Sequence, residues 1–297
     1  MNFKVGIIGS GVAGMTLAIY LKRAGIDFVL IEAKRPGGQI NFAPLVENFP
    51  SYEKISGREL SQKIYSQVQA LNVNYLNDEV VSIDKDKKSY KLKMKKNDDI
   101  IVDTVFIATG KKIKKLDIPN VNDFVGVGLS YCATCDGMFF ADKDVLVVGD
   151  TNKALEESLY LAGICRKVII LCKNDKIQAD DFYRKKVESK ENIEIIYNAI
   201  LKNLVKDDVL KEAIIVRDGK EEILSISGCF AYVGYLPNTE LFKHLVKLDG
   251  DNYIVVDENM RTSEDNVYAI GDVNNRKIFQ LLTAMNDAVV AANDYLK

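Results

Sequence analysis

Long apolar runs, an excess of either charge and a supply of cysteine are all missing from this sequence. No apolar stretch in its 297 residues approaches the roughly 20 that a membrane-spanning helix needs, so no membrane association is expected. Forty Lys and Arg stand against 42 Asp and Glu, for a net charge of −2. Residues 111–238 carry 19 basic and 20 acidic side chains, and the rest of the chain 21 and 22. Neither part is a polycation, which argues against nucleic acid as a partner. Five cysteines are too few to staple a secreted scaffold, and their number is odd. One histidine, His244, leaves a zinc site short of ligands. Lys4 followed by an apolar run can imitate a signal peptide, but Gly6, Gly9, Gly11 and Gly14 interrupt that run and no small-residue cleavage site follows. The chain is therefore read as cytoplasmic.

What is present is ordinary for a globular enzyme: 47% apolar and 28% charged residues. That excludes a disordered chain, a collagen and a coiled coil. A single core stops growing near this length, so two domains are expected. Residues 4–8 read as a short buried strand and residues 28–31 as a second, ending at Glu32. Between them lies Gly9-Ser-Gly-Val-Ala-Gly14 and an amphipathic helix to about Arg23, with Gly25 as its stop. This is the opening of a parallel βαβ unit. A helix over 57–71, a hairpin unit over 79–103 around Lys96-Asn-Asp-Asp99, and a strand over 104–108 ending in Ala108-Thr109-Gly110 follow.

Shifting the chain by 140 residues lays residues 144–149 on 4–9, Tyr160-Leu161 on Tyr20-Leu21, and residues 168–171 on 28–31. A period this long is no solenoid. It predicts an α/β fold with two Rossmann-like, three-layer (ββα) nucleotide-binding domains. The charged stretch 111–115 and Pro237-Asn238 mark two crossings. Residues 239–297 add a strand at 267–270, Gly271-Asp272 and a helix from about Phe279. The second domain (113–238) is thus expected as an insertion into the first (1–112 and 239–297).

The first glycine turn has what a dinucleotide needs. Gly9 permits the tight turn, Gly11 lets backbone approach a pyrophosphate, and Gly14 lets helix pack on strand. The helix N-terminus supplies N–H groups and a favourable dipole for phosphate. Glu32 can accept hydrogen bonds from a ribose. The alternative is a glycine turn with no ligand, which the strand–turn–helix context disfavours. The second turn fails the same test. By the 140 shift Gly11 becomes Thr151, Gly14 becomes Ala154 and Glu32 becomes Cys172. Thr151 places a branched side chain where pyrophosphate would pass. Asp150 adds a like charge, repelling phosphate by roughly 3 kcal/mol at 5 Å and an effective dielectric of 20. Lys173 is the only basic residue close to Cys172, so a 2′-phosphate has no Arg cluster.

Cys132-Ala-Thr-Cys135 can close a redox disulfide, with the second thiol resolving a mixed disulfide formed at the first. Asp136 is placed to move a proton to or from a thiolate. Half a zinc site is the alternative. Cys165, Cys172 and Cys229 lie in or beside apolar elements and read as core.

Together, and in this order, these parts resemble the low-molecular-weight thioredoxin reductases. The resemblance is carried by residues 9–14, Gly38-Gln39, Val46-Glu47-Asn48, Ala108-Thr109-Gly110, Cys132-Ala-Thr-Cys-Asp-Gly137, Gly149 with Glu156-Glu157, Gly234 with Pro237-Asn238-Thr239, and residues 269–272. It implies FAD in the first domain, touched by Gly9, Ser10, Gly11, Ala13, Gly14, Glu32, Gly38, Gln39, Asn48, Val81, Ala108, Thr109, Gly110, Gly271, Asp272 and Gln280. It further implies that Cys135 lies against the flavin, that Cys132 attacks thioredoxin, that Asp136 is the acid–base residue, and that the protein is a homodimer. Ordinary members carry Gly-x-Gly-x-x-Ala and a His-Arg-Arg-x-x-x-Arg run for NADPH. Here those positions read Gly149-Asp-Thr-Asn-Lys-Ala154 and Cys172-Lys-Asn-Asp-Lys-Ile-Gln178, and Phe279 replaces an Arg.

A matched flavin and dithiol half with an unmatched NADPH half resembles the ferredoxin-dependent flavin thioredoxin reductases, the branch independent of pyridine nucleotides. The expected activity carries electrons from reduced ferredoxin through FAD and the Cys132–Cys135 pair to thioredoxin, with rotation about crossings at 111–116 and 235–240. Lys111, Lys112, Lys114, Lys115, Arg184, Lys185 and Lys186 are the candidates for docking an acidic ferredoxin. The rival readings are an NAD(P)H-dependent reductase with a degenerate site, a dithiol oxidase and a flavin-bearing redox sensor.

Overall fold

A strand buried on both faces needs a covering layer on each side, and residues 4–8 begin such a strand. In the computed structural model, which describes residues 1–43 and 45–297, it is β1 (Asn2–Ile8). α1 (Val12–Arg23), β2 (Phe28–Glu32), a 3-10 turn (Gly38–Phe42), α2 (Gly57–Ala70), β3 (Asn74–Asn77), β4 (Val80–Asp86), β5 (Ser89–Met94) and β6 (Ile100–Ile107) follow. After β7 (Lys111–Ile113) come β8 (Leu129–Ser130), α3 (Ala133–Asp136), β9 (Asp144–Val148), α4 (Asn152–Ala162) and β10 (Lys167–Leu171). Then come α5 (Asp181–Glu188), β11 (Ile193–Ile196), β12 (Ala199–Lys206), β13 (Leu210–Arg217), β14 (Lys220–Ser225) and β15 (Gly228–Ala231). β16 (Tyr235–Pro237), β17 (Val267–Ala269) and α6 (Leu281–Tyr295) end the chain.

The chain divides into two compact units, Met1–Lys112 with Leu236–Lys297, and Ile113–Tyr235. The return junction falls three residues before the crossing at 238–239 read from the sequence. Asn238 explains the difference, because it is bound to the first unit. Its backbone N–H donates to Gly110 O (2.9 Å), its side-chain amide donates to Thr109 O (2.8 Å), and Thr109 Oγ1 donates to Asn238 O (2.8 Å).

In the first unit the sheet runs β3-β2-β1-β6-β5-β4, with β17 also on β6. β1 is parallel to β2 and β6, so Ile7 stands opposite both Leu30 and Phe106. Val5, Ile7, Leu30 and Phe106 enter one core, and Ile8, Val29, Ile31, Val105 and Ile107 enter the other. This is the period-two alternation of a strand buried on both sides. On the first face Ala13, Leu17, Ala18 and Leu21 of α1 pack with Ala284, Ala288, Ala291 and Ala292 of α6. On the second, Phe242, Val246 and Ile254 pack with Ile83 of β4 and Leu92 of β5.

The stretch 79–103 holds two antiparallel turns rather than one hairpin. β4 and β5 turn at Lys87-Lys88, with Lys87 in the left-handed region (φ 55°). β5 and β6 turn around Lys96-Asn-Asp-Asp99, where the Asp78 carboxylate accepts from the backbone N–H of Lys96 (3.2 Å) and Asn97 (3.0 Å). The strand read at 104–108 is the second half of β6. It is continuous because β1 pairs along it from Ile101 to Ile107.

The second unit repeats the plan. Its parallel sheet runs β11-β10-β9-β15-β8, matching β3-β2-β1-β6-β17. Val145, Val147, Val168, Ile170 and Phe230 pack with Ala154, Leu155 and Leu161 of α4. Leu146, Val148, Ile169, Leu171, Cys229 and Ala231 pack with Leu204, Ala213 and Ile215 of the antiparallel β12-β13-β14 sheet. Helix, parallel sheet and antiparallel sheet form the three layers. Among the described residues no helix is long and apolar enough to cross a membrane.

One buried charge fastens the last loop of the first unit to α6. Asp287 accepts from Gly271 N (3.0 Å) and Asn274 Nδ2 (2.9 Å) and pairs with the Arg276 guanidinium. Asp287→Ala removes an ion partner of the guanidinium and the acceptor of the Gly271 N–H. It should cost about 3 kcal/mol, as breaking buried ion pairs does, read as a lower urea midpoint, with Asp287→Asn intermediate.

Candidate functional site

The first glycine turn is closed as tightly as backbone allows. A Cβ on Gly14 would stand 2.0 Å from Gly9 O, and one on Gly9, at φ 106°, 2.4 Å from Ala108 O. At Gly11, the N-cap of α1, an added Cβ would meet nothing within 4 Å, so a cradle is left open there. No capping side chain and no acidic residue in the first turn of α1 competes for an anion at its free N–H groups. Glu32 Oε2 accepts from Ser10 N (2.8 Å) and Ser10 Oγ (2.9 Å), and Oε1 from Lys34 N (2.9 Å). The carboxylate is thereby fixed beside the turn with acceptor capacity to spare.

Most of the other expected FAD contacts join this turn or one another. A Cβ on Gly38 would lie 3.5 Å from Gly11 Cα, one on Gly271 2.9 Å from Ala13 Cβ, and one on Gly14 3.4 Å from Ala108 Cβ. Asn48 Nδ2 donates to Gln280 Oε1 (3.2 Å), joining two residues 232 positions apart. Gln39 Nε2 donates to Lys111 O (3.0 Å). Thr109 and Gly110 are held by Asn238 as described. Burial raises the Asp272 carboxyl above its ordinary value, while Lys111 and Arg276 pull it down. Val81 is exposed at the irregularity of the β4–β5 ladder between Val80 and Ser82, and none of these contacts reaches it. An open cradle at a helix start, a fixed acid and convergent amides fit FAD.

In the second unit Cys132 and Cys135 are joined in a disulfide. Cys132 is the N-cap of α3. Asp136 Oδ2 accepts from Ser130 Oγ (2.6 Å), and Ser130 Oγ in turn accepts from Cys132 N (3.0 Å). Ser130 thus ties the acid to the first cysteine. Cys165, Cys172 and Cys229 are buried and free. Burial pushes their thiols up to about 11, 11 and 12, which leaves them protonated and unreactive. His244 is spent on a main-chain carbonyl, Nε2 lying 3.0 Å from Ile83 O.

The second turn keeps the skeleton of the first. A Cβ on Gly149 would lie 2.5 Å from Tyr232 O, and the bridge Thr151↔Gln178 stands where the first unit has Gly11↔Gly37. Its side chains are engaged with one another. Asp150 Oδ2 accepts from Asn174 Nδ2 (3.3 Å) and Cys172 Sγ (3.6 Å). Asn152 Nδ2 donates to Asp180 Oδ2 (2.7 Å). Lys153 Nζ reaches Glu157 Oε1 (2.6 Å) and Glu156 Oε2 (3.2 Å). Burial opposes the Lys153 charge, but the two glutamates outweigh it and hold the ammonium above the ordinary lysine value.

Sequence reading missed Ser130, Lys153 and Asn238 as site residues. Ser130, a hydroxyl two residues before Cys132, was the one visible signal. Lys111 is among the charges expected to dock an acidic ferredoxin. Lys111 is half-buried, with Nζ over the Phe279 ring and 5.2 Å from the centroid of Tyr253, which stacks on Phe279. Lys112 pairs with Glu240, Lys115 Nζ donates to Asn122 Oδ1 (2.7 Å), Arg184 pairs with Asp181, and Lys186 lies over Phe182. The expected basic patch is therefore partly neutralised by its own neighbours.

The model of the pyridine nucleotide-disulphide oxidoreductase family matches residues 3–288. The 34.2 kDa protein in the rubredoxin operon of Clostridium pasteurianum is 36% identical over 96% of this chain and 94% of its own length. Thioredoxin reductase of Listeria monocytogenes serovar 1/2a is 34% identical over 99% of this chain and 93% of its own. Among solved structures, Lactococcus lactis thioredoxin reductase in its FR conformation superposes with a TM-score of 0.95 at 34% identity, covering 99% of this chain and 98% of that one. T. acidophilum thioredoxin reductase gives 0.91 at 31% identity, with 100% and 99% covered.

Burial lowers the Lys111 ammonium from an ordinary 10.5 to about 8, with Arg276 adding to the shift and Asp272 opposing it. Between those values the unfolded chain keeps a proton that the folded chain has released, so raising the pH favours the folded state there. Measured by urea midpoint, the FAD-free wild type should gain stability relative to Lys111→Met between about pH 8 and pH 10, and the difference should be flat below about pH 7.

Proposed function

Since the chain belongs to the pyridine nucleotide-disulphide oxidoreductase family, whose members are FAD-binding flavoproteins, it is a thioredoxin reductase-like disulfide reductase, and we propose that it passes electrons from reduced ferredoxin to thioredoxin. Bound FAD supplies the capacity to accept electrons one at a time and release a pair. In this reading Gly9, Gly11 and Gly14 admit its pyrophosphate, Glu32 takes a ribose, and Gln39, Asn48, Asp272 and Gln280 hold the remainder. Ala108, Thr109, Gly110 and Gly271 complete the contacts.

The chemistry at the dithiol balances without further reactants. The Cys132–Cys135 disulfide takes up two electrons and two protons to become a dithiol. Cys132 thiolate then attacks one sulfur of the thioredoxin disulfide, forming a mixed disulfide and releasing the other sulfur as thiolate. Cys135 thiolate attacks Cys132 Sγ, re-forms the disulfide and releases reduced thioredoxin. Asp136, oriented by Ser130, moves the protons. The dithiol has to meet flavin and thioredoxin in turn, so the crossings at 111–116 and 235–240 serve as hinges. A homodimer belongs to the same reading.

The observation that carries the choice of donor is the second turn. Asp150 is engaged with Asn174 and Cys172, Lys153 with Glu156 and Glu157, and Thr151 stands at the second glycine position. These contacts engage Lys153 and put an acid and a branched side chain at the turn, which supports a donor other than a nucleotide. The family description and the names of the relatives favour the second reading, an NAD(P)H-dependent thioredoxin reductase.

Anaerobic flavin reduction separates the two readings. Millimolar NADPH or NADH should leave the 450 nm flavin band unchanged over minutes, and reduced ferredoxin should bleach it within seconds. Rapid, saturable bleaching by NADPH would assign the donor to the second reading. With either donor, Cys135→Ser should trap thioredoxin on Cys132 as a mixed disulfide visible on a non-reducing gel, and Cys132→Ser should abolish thioredoxin reduction while the flavin is still reduced.

A further inference from the structure

The dithiol helix is fastened from beneath by residues of the altered nucleotide turn. Ala133, the first residue of α3, is fully buried, and its N–H donates to Tyr232 Oη (2.9 Å). Tyr232 follows the end of β15 and is itself buried. Its hydroxyl hydrogen points to Glu157 Oε2 (3.4 Å), and Glu157, 2% exposed on α4, is held by Lys153. The chain Lys153–Glu157–Tyr232–Ala133 thus runs from the second turn to the peptide unit between the two cysteines. None of its members is needed for the sulfur exchange itself.

We propose that Tyr232 and Glu157 are positioning residues that set the redox equilibrium of the Cys132–Cys135 pair, the altered turn having become the support of the dithiol. The inference rests on the dithiol being the working group of the reductase proposed above. Its physical basis is competition for one amide. In the disulfide state neither sulfur carries charge, and Ala133 N–H is committed to Tyr232. On reduction a thiolate forms at the start of the helix that Ala133 begins, where Thr134 Oγ1 already lies 3.5 Å from Cys132 Sγ, and a sulfur anion gains from every N–H or O–H that turns to it. The Glu157 carboxylate accepts from Tyr232, which leaves the phenolic oxygen a better acceptor and keeps the amide away from sulfur. Burial raises the Tyr232 phenol far above its ordinary value, with Glu157 adding to the effect, so the hydroxyl remains a donor to Glu157 at all working pH values. The charged and titratable groups facing this network are Lys153, Glu156 and Glu157 on α4 and Tyr235 after β15.

The arrangement makes the reduced pair a weaker acid and a stronger reductant than the same helix would be with Ala133 N–H free. Tyr232→Phe removes the acceptor of the amide, and Glu157→Gln removes the charge that strengthens it. Both changes should favour the reduced state. The test is equilibration of the purified holoprotein with glutathione buffers, scored by alkylation of Cys132 and Cys135, together with the pH profile of iodoacetamide alkylation of Cys132 in the reduced Cys135→Ser background. Tyr232→Phe should shift the exchange constant about tenfold toward the dithiol, about 30 mV for this two-electron couple, and should lower the midpoint of the alkylation profile. Glu157→Gln should shift both in the same direction. Glu156→Gln, which shares Lys153 but does not touch Tyr232, should leave both within about twofold of wild type. Unchanged constants and profiles in Tyr232→Phe and Glu157→Gln, or shifts of equal size in Glu156→Gln, would overturn the inference while leaving the reductase reading intact. A wild-type disulfide that fails to exchange with either glutathione or thioredoxin would overturn both.

Discussion

A parallel strand with both faces buried can offer functional groups only where it ends. β1 and β9 are such strands, each flanked by two parallel neighbours and covered on both sides. Their C-terminal ends feed directly into glycine turns, and the side chains at those turns decide what each unit can do. The packing is so close at Gly9 and Gly149 that no side chain is tolerated there, since an added Cβ would press into the carbonyl of the neighbouring crossing. The skeleton of the turn is thus fixed by the sheet, and evolution of function is confined to the positions around it.

The two units use the same skeleton in opposite ways. In the first, Ser10 is small and the acid stands at the end of β2, where Glu32 accepts from Ser10 and still faces outward. In the second, an acid, Asp150, stands on the turn itself, and β10 is followed by a buried thiol, Cys172. Lys153 brings a cation into the first turn of α4, but two glutamates consume it. The second turn is also linked, through Glu157 and Tyr232, to the helix that bears the dithiol.

Electrostatics in the first unit follow from burial more than from net charge. Lys111, Asp272 and Arg276 lie close enough to shift one another, and each is pushed toward its neutral form by burial. Arg276 is compensated by Asp287, which also anchors the Gly271 amide. Lys111 rests on aromatic faces, where a cation is attracted without a counter-ion. Phe279, the residue that departs from the usual Arg, therefore retains a positive charge beside it, contributed by a different part of the chain.

The sequence by itself determined the two-unit plan, the parallel order of the strands, the dinucleotide turn and the dithiol. Each depends on local rules: period-two burial, glycine at a tight turn, and a two-residue gap between thiols. That the second turn lacks the second glycine and the following acid is likewise visible without coordinates. What the sequence could not reveal were contacts between residues far apart along the chain. Asn48 meets Gln280 and Thr109 meets Asn238 only because β6 and the segments after it return to the same sheet end. The fate of each charge was equally hidden. Lys111 and Lys115 look alike in a basic run, yet one is half-buried on aromatic rings and the other reaches Asn122 at the surface. Burial is set by the whole fold, and burial decides whether a charge is a docking site, a spent partner or a group that titrates near neutrality.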